Sequence, residues 1–299
     1  MSLRIVLAQI NLLVGDIDGN AGRMMDAARR AAHGHGARLV VFPELSLTGY
    51  PPEDLLLRRS LLPRVEAALA RLDAFARGES LVLVVGAPKM LPSGLANGAF
   101  VLGAAAPASY AKQHLPNYRV FDEHRYFQAG DRPLVVTVDG VRAGIVICED
   151  IWFPGPAAQA RAAGAELLLA LNASPFHAGK QAEREQVVRD RVREAGLPVA
   201  YVNLVGGQDE LVFDGGSFVL ARDGTVVARA PHAGEALLPV DFSGGDFLPG
   251  ACAPIPSDDQ SVYDALVLGV RDYIGKNGFR GALLGLSGGI DSALTVAIA

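Results

Sequence analysis

Two cysteines, Cys148 and Cys252, are all that this 299-residue sequence contains. They are too few for a disulfide scaffold or for a structural zinc site with clustered thiolates. A reducing, cytoplasmic setting is the expectation that follows. The six histidines are scattered, with only His33 and His35 near one another, so no metal set is expected. A basic excess is also missing: 27 Lys and Arg stand against 32 Asp and Glu, for a net charge of −5. That balance argues against a nucleic-acid partner. No uninterrupted apolar run reaches the ~18 residues of a membrane helix. The apolar start of the chain carries Arg4, Gln9 and Asn11 and has no small-residue cleavage site behind it, so neither a membrane partner nor an export leader is expected. Internal repeats and low-complexity tracts are absent as well.

What the sequence does have is a large apolar fraction, 50%, beside 20% charged residues. That is enough for a sizeable core and excludes disorder. Short runs rich in Val, Ile and Leu predict strands over residues 4–9, 39–42, 81–86, 99–103, 134–138, 142–148, 167–172, 199–205 and 217–221. Helical spacing predicts helices over 20–33, 61–77, 157–163 and 180–195, the last with its start region near Ser174 and Pro175. Asp139-Gly140 and Asp223-Gly224 read as tight turns between antiparallel strands. Strands separated by helices, mixed with hairpins, point to an α/β fold with two sheets face to face and helices outside. Residues 241–257 are rich in Gly and Pro and read as a linker. A helix is expected over 258–276, followed by an apolar strand at 281–286 and a Gly-rich turn opening a helix.

Three apolar segments end in a reactive side chain: Val40-Val41-Phe42-Pro43-Glu44, Tyr110-Ala111-Lys112, and Ile145-Val146-Ile147-Cys148-Glu149-Asp150. Taken singly, each residue has a plain explanation. Cys148 is a core residue, Glu44 a helix-start carboxylate, Lys112 a solvated charge. Taken together they supply a nucleophile, a base to deprotonate it, and a cation where an acyl-transfer oxyanion develops.

In those motifs the sequence resembles the nitrilase superfamily of carbon–nitrogen hydrolases. The wording of Lys112-Gln113-His114-Leu115-Pro116-Asn117-Tyr118 and of Cys148-Glu149-Asp150-Ile151-Trp152 is closer still to the glutaminase domain of the glutamine-dependent NAD synthetases. The resemblance implies a nitrilase-like α-β-β-α sandwich over residues 1–245, a linker over 246–257, and over 258–299 the first elements of a truncated doubly wound α/β nucleotide-binding domain. It implies Glu44, Lys112 and Cys148 as the catalytic set, with Tyr118, Ser174 and Lys180 holding glutamine. The resemblance also offers Glu123 as a candidate fourth member, an acidic residue that would orient Lys112; the alternative for Glu123 is a surface ion pair with Arg125. Glu149 is expected on the opposite face from Cys148 if the strand continues. His177 and Trp152 are assigned structural or pocket-wall places, and no metal is assigned to the amidase site.

Ser287-Gly288-Gly289-Ile290-Asp291-Ser292 resembles the pyrophosphate loop of ATP-pyrophosphatases. Ser287, Gly288, Gly289, Asp291 and Ser292 would bind ATP, with magnesium in the complete synthetase. Glutamine, nicotinic acid adenine dinucleotide and ATP are the implied small-molecule partners, and a homo-oligomer is expected. A chain carrying only this loop of the ligase is expected not to make NAD alone. The competing readings are a stand-alone amidase for another small amide, and a fragment inactive without its synthetase domain.

Overall fold

The computed structural model describes residues 2–299. In chain order its first elements are β1 (Ser2–Gln9), α1 (Ile17–His35), β2 (Leu39–Val41), α2 (Leu61–Gly78), β3 (Val82–Leu91), β4 (Gly94–Leu102) and β5 (Ala108–Ala111). Then come β6 (Leu134–Val138), β7 (Val141–Ile147), α3 (Pro154–Ala162), β8 (Leu167–Asn172), α4 (Lys180–Ala195) and β9 (Val199–Asn203). The hairpin β10 (Val205–Gln208) and β11 (Leu211–Asp214) leads to β12 (Phe218–Leu220), β13 (Val226–Arg229), β14 (Ala236–Ser243) and β15 (Asp246–Phe247). Two helices close the chain, α5 (Asp258–Lys276) and α6 (Ile290–Ile298).

Seven strands form one sheet in the order β15-β14-β1-β2-β3-β4-β5, and six form another in the order β13-β12-β9-β8-β7-β6. Each sheet has three parallel strands at its centre, β1-β2-β3 and β9-β8-β7, with antiparallel strands outside them. These central strands are buried on both faces, which is why they read as unbroken apolar runs rather than as alternation. One set of side chains, including Leu3, Ile5, Leu7 and Val41 from the first sheet and Ile145, Ile147, Leu169 and Leu171 from the second, fills the space between the sheets. Val6, Val40 and Val85 point outward to Met24 and Ala28 of α1 and Val65 and Leu72 of α2. Val146, Leu168 and Ala170 point outward to α3 and α4. The result is the four-layer α-β-β-α sandwich. Fully burying each such Val, Leu or Ile contributes about 1.5–3 kcal/mol.

Apart from the strand at 281–286, the expected strands and helices are present with ends shifted by a few residues. The 199–205 segment divides into β9 and β10, and five strands that the sequence reading did not list (β5, β11, β13, β14, β15) complete the sheets. Two expectations are corrected. The stretch read as linker from 241 onward begins inside β14. Gly244 and Gly245, both at positive φ (65° and 89°), make the two-residue turn that pairs Ser243 with Asp246. Residues 250–253 then bond along β13, with Gly250 N donating to Val227 O (2.9 Å) and Ala253 N to Arg229 O (2.9 Å). Turn residues and linker residues have the same composition, so composition could not separate them. Residues 281–286, expected as a strand, are irregular and exposed, since an apolar run with no neighbouring strand has nothing to satisfy its backbone groups. None of the described helices is long and apolar enough to cross a membrane.

Glu44 sits in the turn that leaves β2, and β3 has a glycine beneath that turn. A Cβ on Gly86 would lie 2.4 Å from Leu45 N and 2.5 Å from Pro43 O. Leu47 N donates to Gly86 O at 3.0 Å, which holds the turn down. Because the clash is with backbone, a methyl group cannot be absorbed by a side-chain shift. Gly86→Ala is expected to lower the unfolding free energy by about 1–3 kcal/mol, read from urea titrations, whereas Gly78→Ala, with open space around it, leaves the midpoint near that of the parent.

Candidate active site

Four strand ends converge at one edge of the sandwich. Glu44 follows β2, Lys112 follows β5, Cys148 follows β7, and Ser174 lies two residues past β8. The C-terminal ends of parallel strands are where open α/β sheets leave room for a ligand.

Glu44 and Lys112 are both completely buried. Lys112 Nζ donates to Glu44 Oε1 at 2.7 Å and to Glu123 Oε1 and Oε2 at 2.8 and 2.9 Å. Its three N–H groups are thereby matched by three carboxylate oxygens. Asn97 registers the pair: its carbonyl accepts from Lys112 N (2.8 Å) while its Nδ2 donates to Glu44 Oε1 (2.7 Å). Glu44 Oε2 accepts from Ala173 N (3.0 Å), and Tyr50 OH donates to Glu123 Oε1 (3.2 Å). Arg125, weighed as a surface partner for Glu123, pairs instead with Asp54 and Asp122.

Cys148 is the first residue of a short 3-10 turn and has φ of +44°. A non-glycine residue there costs on the order of 1–3 kcal/mol and persists only where its surroundings hold it. Asp150 does the holding. Its Oδ2 accepts from Ile147 N (3.0 Å) and Tyr110 OH (2.8 Å), and its Oδ1 accepts from Gln113 N (3.0 Å) and His114 N (2.8 Å). One buried carboxylate thus ties the Cys148 turn to the segment that follows Lys112. The same left-handed residue ends the strand alternation. Glu149 therefore does not take the opposite face but enters the cleft beside Cys148, where Tyr118 OH donates to both its oxygens (3.0 and 3.1 Å).

The electrostatics follow from burying two carboxylates around one ammonium. Burial alone pulls the Lys112 pKa down, but the carboxylates of Glu123 and Glu44 raise it well above the ordinary lysine value. Burial pushes Glu123 up to about 7; Lys112 opposes this and Glu44 adds to it. The excess buried negative charge is relieved by a proton on Glu123. Burial, then the Glu44 carboxylate, raises the Cys148 thiol well above its ordinary value, while Lys112 alone among the main contributors pulls it down. The resting group is the neutral thiol.

Cys148, 6% exposed, opens into a cleft of about 530 Å³ that is also lined by Glu149, Tyr118, Trp152, Ser174 and Lys180. Lys180 Nζ lies 4.2 Å from the centre of the Trp152 ring and 2.9 Å from Glu183 Oε2. The cleft carries charge of both signs. Ser174 does not cap α4, whose N-cap is Gly179. Its hydroxyl accepts from Arg184 Nε at 3.0 Å, and its N–H donates to Asn203 Oδ1 at 2.9 Å. His177 sits at the rim against Glu183. Among the described residues no group of three or more His, Cys, Asp or Glu could hold a metal ion. Asn97, Tyr50 and Arg184 lie in no motif, and Asp150 lies in the cysteine motif without anything in its spelling to mark its role; only the contacts made in the fold single them out. The Ser287–Ser292 loop stands apart on the surface. Gly289 caps α6, and Ser292 Oγ donates to Gly289 O at 2.9 Å.

With that geometry in place, similarity to known proteins can be set beside it. Residues 4–244 match the carbon-nitrogen hydrolase family model, and residues 262–299 match that of NAD synthase. The glutamine-dependent NAD(+) synthetase of Xanthomonas campestris is 47% identical over all of this chain and 55% of its own length. This chain therefore spans about half the length of the curated relatives it matches. The solved glutamine-dependent NAD+ synthetase of Acinetobacter baumannii superposes with a TM-score of 0.95 at 40% identity, over 100% of this chain and 57% of that one. A nitrilase-superfamily amidase from Nesterenkonia, solved with the acetamide moiety of fluoroacetamide joined to its active-site cysteine, is 30% identical with a TM-score of 0.73. It shares 80% of this chain and 90% of its own.

Lys112→Met would leave two carboxylates buried with no counter-charge. It is expected to lower the unfolding free energy by about 3–5 kcal/mol at pH 8. The loss shrinks at pH 5, because a carboxylate whose folded pKa exceeds its unfolded value takes up a proton and sheds the charge. In the parent protein Glu123 acts with the same sign. Between about 4.5 and about 7 the folded state holds a proton that the unfolded chain has released, so stability falls as pH rises through that window. Glu123→Gln is expected to flatten that slope. Denaturant titrations across pH 5–8 check both, and an unchanged slope in Glu123→Gln would assign the proton elsewhere.

Proposed function

The chain belongs to the carbon–nitrogen hydrolase family, and from that premise we propose that it hydrolyses the side-chain amide of glutamine at Cys148, as the glutaminase half of a glutamine-dependent NAD synthetase. The observation that carries the chemistry is the buried Lys112 clamped at 2.7 Å to Glu44, both acting electrostatically on the Cys148 thiol, which opens onto the cleft.

Cys148 Sγ attacks the amide carbon. Burial keeps the thiol protonated at rest, so the base must act during attack, and Glu44 takes the proton and delivers it to the departing ammonia. An unprotonated amide nitrogen is a poor leaving group, which makes this delivery as necessary as the attack. The Lys112 ammonium stabilises the oxyanion on the tetrahedral carbon. Loss of ammonia leaves a glutamyl thioester. Glu44 then activates a water, which releases glutamate and restores the thiol. Glu123 fixes the Lys112 head through two hydrogen bonds, at 2.8 and 2.9 Å.

Tyr118, Ser174 and Lys180 are the proposed glutamine contacts. Glu149 and Lys180 put a carboxylate and an ammonium in one cleft, which suits the two charged ends of an amino acid. A simple amidase is the second reading, favoured by the similarity to the Nesterenkonia enzyme, but it has no need of that charge pair.

In the complete enzyme the ammonia would amidate nicotinic acid adenine dinucleotide in an ATP-dependent step. Ser287, Gly288, Gly289, Asp291 and Ser292 would receive the pyrophosphate, since the open N-terminus of the nine-residue helix α6 presents N–H groups and a favourable field to an anion. Magnesium would be held chiefly by the nucleotide phosphates, with Asp291 the carboxylate at the loop.

Cys148→Ala is expected to abolish ammonia release from glutamine. Lys112→Met should lower kcat by about 10²–10³. Tyr118→Phe and Lys180→Met should raise KM more than they lower kcat. Coupled-enzyme assays of ammonia, run beside acetamide and N-carbamoyl amino acids, check this. Faster turnover of acetamide than of glutamine would overturn the assignment in favour of a plain amidase.

A further inference from the structure

We propose that α5 is a positioning element of the amidase site and acts through the β10–β11 hairpin. The kinetic part of this inference rests on the glutaminase reading above. The structural part does not.

The hairpin is a two-stranded sheet of its own, and an isolated hairpin is marginally stable in water. Its outer edge is closed by side chains from a helix. Asp272 Oδ2 accepts from Gly207 N at 2.8 Å, and Lys276 Nζ, one turn further along α5, donates to Gly207 O at 2.8 Å. The two side chains stand where the carbonyl and N–H of a third strand would be. Asp272 is buried and also accepts from Asn11 Nδ2 (2.6 Å), while Lys276 also donates to Leu12 O (2.9 Å). The approach needs bare backbone, since a Cβ on Gly207 would lie 2.9 Å from Gly269 Cα.

The other side of the hairpin faces the site. Glu210 and Leu211 line the cleft. Val212 O accepts from Phe176 N at 2.7 Å, which fixes the cleft wall that begins at Ala173, the donor to Glu44. Phe213 meets the Tyr50 ring edge-on at 5.9 Å, and Tyr50 bonds Glu123. Asp214 pairs with Arg184 at 2.8 Å, and Arg184 donates to Ser174 O at 2.7 Å. Each residue from 210 to 214 therefore touches the cleft or a group that supports it. All of α5 from residue 262 lies in the segment matching NAD synthase, while its anchor points lie in the segment matching the hydrolase. A displacement of α5 therefore reaches the amidase wall through two charged contacts, and coupling of this kind works in both directions.

The test uses the full chain carrying Asp272→Ala, Asp272→Asn or Lys276→Met, the last removing the Lys276–Asp272 pairing at 3.7 Å but leaving the bonds from Gly207 N and Asn11 Nδ2 to Asp272. KM and kcat for glutamine are expressed per active site titrated by iodoacetamide at Cys148, and amide hydrogen exchange is followed by mass spectrometry. Asp272→Ala and Lys276→Met are expected to raise KM on the order of tenfold, the scale of a lost charged hydrogen bond. Exchange should quicken over residues 205–214 and 173–176 but not over β7 and β8. Asp272→Asn, which keeps an oxygen for Gly207 N–H, should recover part of both effects. A lowered Tm with unchanged KM and unchanged exchange over 173–176 would reduce α5 to simple packing and overturn the proposal. If the parent releases no ammonia from glutamine, the glutaminase reading fails, while the exchange data and the alkylation rate of Cys148 still decide this inference.

Discussion

One ammonium held between two carboxylates, all out of water, is the constraint around which the site is organised. Lys112 cannot lose its charge without stranding Glu44 and Glu123, and neither carboxylate tolerates its absence. Such a cluster is affordable only with each head group given a partner. Asn97 and Ala173 bond Glu44, Tyr50 bonds Glu123, and the bare backbone of Gly86 lets the Glu44 turn settle onto β3. These residues do no chemistry, yet the geometry of the charged cluster depends on them.

Cys148 is placed by a different means. Cys148 is held in a left-handed conformation by the four hydrogen bonds that Asp150 accepts, two of them from the segment after Lys112. The turn on the second sheet is thereby registered against a strand end on the first. Packing of the two sheets face to face brings the strand ends close; Asp150 fixes their relative position. The same turn rotates Glu149 into the cleft, so that one backbone dihedral places both a thiol and a carboxylate.

Much of the layer architecture was legible because central parallel strands announce themselves as apolar runs, and because α1, α2, α4 and α5 carry clear helical spacing. What was not legible has particular causes. β11, β13 and β15 are two to four residues long and owe their existence to partners rather than to their own pattern. Gly244 and Gly245 have the composition of a linker and the dihedrals of a hairpin turn. The 281–286 run has the composition of a strand, but strand formation requires a neighbour. The opposite-face expectation for Glu149 assumed that β7 continues, and nothing local to Cys148 marks the change of dihedral.

The sequence by itself determined which chemistry is available: one cysteine, one glutamate and one lysine, each at the end of an apolar segment, in wording that resembles a single superfamily. It could do so because nucleophile, base and cation are properties of side chains. Only the tertiary structure decided that Glu123 turns toward Lys112 rather than Arg125, that Ser174 is held by the Arg184 side chain of α4 instead of capping that helix, and that α5 closes the edge of a hairpin lining the cleft. Those are choices among partners distant along the chain, and they depend on which groups burial leaves within reach of one another.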